Sequence, residues 1–472
     1  MVFSSLVFLY GFLPLCLGAY FLAPSLKWRN GVLIAFSLVF YAWGEPLWVI
    51  LLVLSAVVDF NCARFIEARR GEPIAKLGVA FSLFFNLGAI VAFKYSGFLV
   101  ENLNGLTGLG LAVPAFHLPI GISFYSFQTM SYTIDVYRGK VGAQRSAWDF
   151  LLYVSLFPQL VAGPIVRYAT VAKEIASRAF SWEDLSAGVG RFALGLGKKV
   201  LLANAAGEAV AALIGPGKEA LSVLGAWWAM ALYAFQIFFD FSGYSDMAIG
   251  LGRVFGFRYE ENFDYPYASR SATEFWRRWH MSLGSFFRDY LYIPLGGNKR
   301  FMARNMLIVW FLTGLWHGPS WNYVAWGLFW GLLILAERGL GALTGRELPR
   351  PLGHAYLLVA ALSGWALFYF EDLGRAFGHL GAMFGANGLP LADPSLGFSV
   401  SQNAFLFVIC GIASMPIVPF VRERLKGGRF LASWPARAFE AFGRPLIDLG
   451  MLAAATVLLV GKSYNPFLYF RF

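Results

Sequence analysis

Two histidines define the chemistry open to this chain. His280 and His317 lie in one stretch, TEFWRRWHMSLGSFFRDYLYIPLGGNKRFMARNMLIVWFLTGLWHGPSWN, residues 273 to 322, and are two of five histidines in 472 residues. A neutral imidazole titrates near physiological pH and can take the proton of an alcohol that attacks an acyl carbonyl, the work of a general base. His317 is the candidate catalytic residue, with His280 as its partner or as a structural residue. Blander readings fit the same positions: His317 as a hydrogen-bond partner of its loop, and His280 as a packing residue with one nitrogen satisfied. No G-x-S-x-G elbow, Walker loop or zinc spacing of histidines occurs, so no metal is expected. Acyl transfer by direct attack with a histidine base remains.

The elements that position these imidazoles must be membrane helices. Hydrophobic residues make up 58% and charged residues 14% of the chain, and the mean hydropathy of +0.59 lies far outside soluble composition. The chain reads as an all-α polytopic membrane protein, one domain over residues 1–472, in contact with membrane lipids. The formal net charge of +11 does not point to nucleic acid, because the basic residues sit between apolar runs as orientation signals. Cys16, Cys62 and Cys410 lie far apart in or beside apolar runs, which argues against a disulfide framework or a metal site. Residues 2–23 follow no basic leader and run into Lys27, Trp28 and Arg29, as a retained first span does.

Apolar runs at 2–23, 31–43, 47–65 and 77–94 predict the first four spans. Lys27, Arg29, Arg64, Arg69, Arg70 and Lys76 fall in alternate connections, which predicts an outside amino terminus. Residues 95–118 read as an outer loop. PIGISFYSFQTMSYTIDVYRGK, from Pro119, is polar enough to require cover by protein or a water-filled cavity and reads as a helix lining a central cavity. Runs at 148–162, 186–214 and 222–239 come next, the last closed by Asp240, whose carboxylate needs a partner or solvent at that depth.

The basic block from Arg253 to Arg304 predicts a cytoplasmic segment. A single amphipathic helix over 275–290 would put Phe275, Trp276, Trp279, Leu283, Phe286, Phe287 and Tyr290 on one face and Arg277, Arg278 and Arg288 on the other, with His280 at the boundary. These arginines are candidates for binding an anionic donor; plain cytoplasmic orientation explains them as well. Residues 305–316 are too few to cross the hydrocarbon core as a helix, so His317 falls within the membrane, before the Gly318-Pro319 break. Runs at 321–335, 355–370, 402–421 and 446–461 bring the count to about 11 spans with re-entrant pieces, without internal repeats. The tail after Lys462 should be outside.

FDFSGYSDMAIGLG, TEFWRRWHMSLGSFFRDYLYIPLGGN and LTGLWHGPSWNYVAWG resemble the signatures of the membrane-bound O-acyltransferase (MBOAT) superfamily. MVFSSLVFLYGFLPL, LPIGISFYSFQTMSYTIDVYRGK and YNPFLYFRF extend the likeness over almost the whole chain, toward the membrane subunits of bacterial alginate O-acetylation. The resemblance implies a helical ring with a thin centre, a cytoplasmic donor tunnel and an outer funnel. It also implies catalysis by His317 of W-H-G, a second signature histidine at His280, and a bacterial inner-membrane location. Pro319-Ser320-Trp321 after W-H-G departs from the alginate branch and leaves the acceptor open.

The same resemblance implies transfer of an acyl group, expected to be acetyl, from acetyl-CoA or an acyl-carrier thioester, with no tightly bound cofactor. The acceptor would be an exported polysaccharide such as alginate or cellulose, with a periplasmic SGNH-type acetyltransferase as partner. A D-alanine cargo, or a polysaccharide or lipid-linked sugar transporter, are the alternatives; a transporter more often shows internal repeats. The carboxy-terminal Tyr469 has two readings: part of an aromatic interfacial anchor, or a phenol that carries the acyl group in transit.

Overall fold

The computed structural model describes residues 1–472 except 161–162, 346–347, 426–433, 435–438, 462–464, 466 and 469–472. The described residues form helices and connections, with no strand among them. Among the described residues seven helices are long and apolar enough to cross a membrane: Val49–Ala68, Ala75–Thr107, Val223–Val254, Trp321–Thr344, Arg350–Tyr369, Pro394–Ala413 and Ala441–Gly461; Phe8–Leu22 is a shorter apolar helix. Their outward faces carry side chains that water would not tolerate in such numbers, with Phe84 77% and Phe405 79% exposed. Such an inside-out surface belongs to a protein whose solvent is lipid.

The chain packs as two compact units, Met1–Phe192 with Ser245–Glu260, and Ala193–Tyr244 with Glu261–Phe472. In the first, the helix Ile122–Tyr137 is buried on nearly every face. Two of its polar side chains meet polar groups of neighbouring helices: Thr129 donates to Asn86 Oδ1 at 3.2 Å, and Thr133 lies 3.0 Å from Ser82. Ser82 and Asn86 in turn donate to the buried Asp59 carboxylate at 2.5 and 2.7 Å. Thr129 and Thr133 are thus matched, through Ser82 and Asn86 of Ala75–Ile90, to a carboxylate on Val49–Ala68.

Several boundaries differ from the sequence reading. The fourth span does not end at residue 94 but continues as helix to Thr107, because Asn102 and Thr107 return their side chains to the carbonyls of Phe98 and Leu103. The helix stops where Gly108 takes φ 70°. The run predicted for 222–239 continues through the glycine-rich text to Val254. The helix begun at Trp321 passes 335 and ends at Thr344. Its Glu337 accepts from the Ala272 and Thr273 amides at 2.5 and 2.9 Å, capping the helix that begins there. The run predicted for 402–421 is two helices, Pro394–Ala413 and Ile417–Leu425, parted at Pro416.

Candidate active site

His317 is the last residue of the helix Met302–His317, and Trp321–Thr344 begins after a three-residue connection. Glycine lets these two helices touch backbone to backbone. A Cβ on Gly314 would strike the Tyr323 carbonyl, and one on Gly327 the Trp310 carbonyl. A Cβ on Gly318 would meet the Tyr323 ring, so the glycine of W-H-G is required by space, its φ of −177° being open to any residue. His317 is buried. Its ring lies 4.8 Å from those of Trp316 and Trp326 and 5.1 Å from Phe368, centre to centre.

His317 opens on a narrow cavity walled by Trp279, Trp326, Trp365 and Phe368, with Asp240 and Leu468 also lining it. Rings fix its shape because they pack on further rings: Trp279 lies 4.9 Å from Trp365, and Phe275 stacks on Trp330 at 5.4 Å and 9°. The aromatic face expected over 275–290 is therefore real, with Phe275, Trp279, Leu283, Phe286 and Phe287 all buried.

That segment is not one helix. It breaks into Ala272–Arg278 and Met281–Phe287, and between them His280 takes φ 46° in the left-handed region, a conformation that costs a non-glycine residue about 1–3 kcal/mol. The turn is held from outside. Asn262 Oδ1 receives the Ser282 hydroxyl at 2.8 Å, the Ser282 amide at 3.2 Å and His280 Nδ1 at 3.1 Å, and the Met281 amide donates to the Asn262 carbonyl at 3.0 Å. An amide oxygen only accepts, so His280 carries its proton on Nδ1 and keeps Nε2 as its basic nitrogen. His280 is buried rather than at a boundary. Its ring packs 4.7 Å from Phe241 and 5.8 Å from Trp316. Trp316 thus touches both imidazoles, while the cavity is lined by His317 and not by His280.

Of the predicted donor-binding residues, Arg277 and Arg288 are exposed. Arg278 pairs with Glu274 at 2.9 Å, and Arg288 with Asp289 at 2.7 Å. Asp240 has the partner its depth demands: Lys199 Nζ lies 2.7 Å away, both side chains 3% exposed. Sequence reasoning passed over Lys199, although a lysine inside the apolar run KKVLLA is as costly as an aspartate and carried the same signal. Asn262 lies in a loop and offers no such signal. Tyr469 lies outside the described residues; Leu468, which precedes it, borders the cavity. No cluster of three or more metal-ligating side chains occurs among the described residues.

The profile of the family described as MBOAT, membrane-bound O-acyltransferase family, matches residues 140–373. The chain is 38% identical over 513 aligned residues to the probable alginate O-acetylase AlgI of Azotobacter vinelandii and 36% identical over 498 to that of Pseudomonas putida, with both chains covered in full. It is 31% identical over 434 residues to the peptidoglycan O-acetyltransferase of Helicobacter pylori, covering 84% of this chain and 82% of that one. With a histidine-lined cavity inside a helical membrane protein, and full-length likeness of this order, the chain is an acyltransferase and belongs to the membrane-bound O-acyltransferase family.

Proposed function

We infer that this chain acetylates an exported polysaccharide, alginate or a related glycan, from a thioester made in the cytoplasm, with His317 as general base in a bacterial inner membrane. The observation that carries the reading is the His317 imidazole set at a helix end in a narrow aromatic cavity, in a chain that aligns from end to end with a probable alginate O-acetylase. As an acceptor hydroxyl oxygen bonds to the thioester carbonyl carbon, His317 takes the hydroxyl proton. The C–S bond then breaks, and the departing thiolate recovers that proton from the imidazolium as free thiol. Ring walls keep water from competing for the acyl group. Asp240 is committed to Lys199 and has no part in the proton transfer.

The donor is acetyl-CoA or an acylated carrier, and its phosphates are met by Arg277, Arg278 and Arg288, the last two exchanging their carboxylate partners for the ligand. The glycan lies on the other side of the membrane, so the acyl group needs a carrier across the cavity. The position of Leu468 on the wall of the cavity that His317 also lines supports Tyr469 in that role. Its phenol oxygen attacks the thioester while His317 takes the proton, free thiol leaves, and the aryl ester then passes its acetyl group to a periplasmic SGNH-type acetyltransferase. Peptidoglycan as the acceptor is a second reading, favoured by the likeness to the Helicobacter pylori enzyme.

The test is acetyl-CoA cleavage by purified protein in lipid nanodiscs supplied with an acceptor polysaccharide and the periplasmic acetyltransferase, followed as thiol release. His317→Ala should fall by about 10²- to 10⁴-fold while eluting as a monodisperse, inserted protein. Wild-type turnover by that variant would remove His317 from the chemistry, and the absence of turnover in the wild-type protein with both acetyl-CoA and an acetylated carrier protein would refute the reading.

A further inference from the structure

The carboxy-terminal tail is fastened to the part of the His317 cavity wall that carries a carboxylate. Gly243 allows the long helix Val223–Val254 to touch the π-helical turn Lys198–Ala203, since a Cβ there would lie 3.1 Å from the Lys199 amide. This contact brings Lys199 against Asp240, one turn away. The widened π register also stacks residue i on residue i+5, so Lys199 Nζ donates to Asn204 Oδ1 at 2.8 Å.

Both ends of this buried chain of polar groups finish on the tail. Asn204 donates to Asn465 Oδ1 at 3.2 Å, and the Leu468 amide donates to Asp240 Oδ2 at 2.8 Å. Between these two attachments Phe467 stacks on Tyr244 at 4.6 Å and 27°, one helical turn beyond Asp240. Phe467 and Leu468 are buried.

A buried ion pair recovers its desolvation cost only when its remaining lone pairs and protons find partners. Here the second carboxylate oxygen finds its donor in a backbone amide of the tail. We propose that Lys199 and Asp240 are positioning residues whose task is to receive the tail and hold Leu468 as a wall of the His317 cavity. The pair acts through the tail and touches no reacting atom.

Hydrogen–deuterium exchange of full-length protein in nanodiscs, read on a carboxy-terminal peptide that includes Leu468, tests this. In the wild type the Leu468 amide exchanges slowly. Lys199→Met with Asp240→Leu replaces the pair by apolar residues, an exchange that proteins tolerate, and removes the acceptor; protection at Leu468 should drop by at least about tenfold. The charge swap Lys199→Asp with Asp240→Lys separates docking from simple structural pairing. It restores an ion pair, and so insertion and thermal stability, but an ammonium cannot accept an amide proton, and the tail should remain unprotected. Wild-type protection in either double variant overturns the proposal. So does a wild-type Leu468 amide that exchanges at the rate of an unstructured peptide, which decides the matter even where the variants fail to fold. Thiol release measured on the same samples reports on His317 separately: a protected tail without turnover counts against the acyl-transfer reading and leaves the latch standing.

Discussion

Asn262→Ala isolates how much the broken segment around His280 depends on one side chain. The amide oxygen takes three donors, the Ser282 hydroxyl, the Ser282 amide and His280 Nδ1, and Asn262, His280 and Ser282 are at most 4% exposed. Each buried donor left without an acceptor costs about 1–3 kcal/mol. Three of them set a range of about 3–9 kcal/mol, and relaxation of the small site toward other acceptors or an admitted water brings the expected loss to its lower end, about 3 kcal/mol. The backbone bond from Met281 to the Asn262 carbonyl survives the substitution, so the chain keeps its path while the imidazole loses the contact that fixes its tautomer. Thermal unfolding in detergent, followed by intrinsic tryptophan fluorescence, should show a clear fall in midpoint, and thiol release should fall with it. Asn262→Asp keeps an acceptor for all three donors and should retain more activity than the alanine variant. A midpoint and turnover for Asn262→Ala equal to wild type would refute the view that this oxygen holds the left-handed turn at His280.

Three further outcomes are expected. Tyr469→Phe keeps an aromatic ring and removes one oxygen; under the relay it abolishes glycan acetylation in cells, and normal acetylation would leave the tail as an anchor. Arg288→Ala should raise the KM for the thioester donor several-fold with kcat little changed, as loss of a charged contact to phosphate does; an unchanged KM removes the donor role. His379, on the helix Leu373–Met383, has its imidazole pushed down to about 4, first by burial, against the opposing effect of its hydrogen bond to the Ala226 carbonyl. Below about pH 6.5 the unfolded chain binds a proton there that the folded one does not, so stability is complete above that pH and is lost as pH falls toward 4. Melting midpoints between pH 7.5 and 5 should fall for the wild type and less for His379→Asn, and equal slopes would refute the assignment.

The parts of the site that were legible in the sequence are those where a residue's type conflicts with its surroundings. His317 at the end of a run too short to cross the membrane, and Asp240 at the end of one long enough to do so, both stood out because ionisable groups in apolar text need partners. The aromatic face over 275–290 was legible from its period. The break at His280 was not, because an angular period runs unchanged through a single left-handed residue, and the oxygen that stabilises the break comes from a loop 18 residues earlier. Lys199 carried the same signal as Asp240, a charge in apolar text, but the pairing of the two across separate helical segments leaves no local pattern. The helix that continues to Thr107 was missed because Asn, Gly and Thr read as loop wherever their side chains are assumed to face water, whereas in this helix Asn102 and Thr107 serve its own carbonyls.

The length of the helix that carries Asp240 has a consequence for that ion pair. Its 32 residues form a rod about 48 Å long at 1.5 Å per residue, against a hydrocarbon layer of about 30 Å. Asp240 sits about 25 Å from one end. Wherever along the rod the layer is centred, provided the helix crosses it completely, the carboxylate lies within about 10 Å of the midplane, and tilting only reduces that depth offset. Both side chains of the pair are 3% exposed, so salt screens the attraction between Lys199 and Asp240 far less than it screens a surface pair. The contact between the Leu468 amide and Asp240 therefore rests on a carboxylate whose charge is held by a buried partner rather than by dissolved counterions.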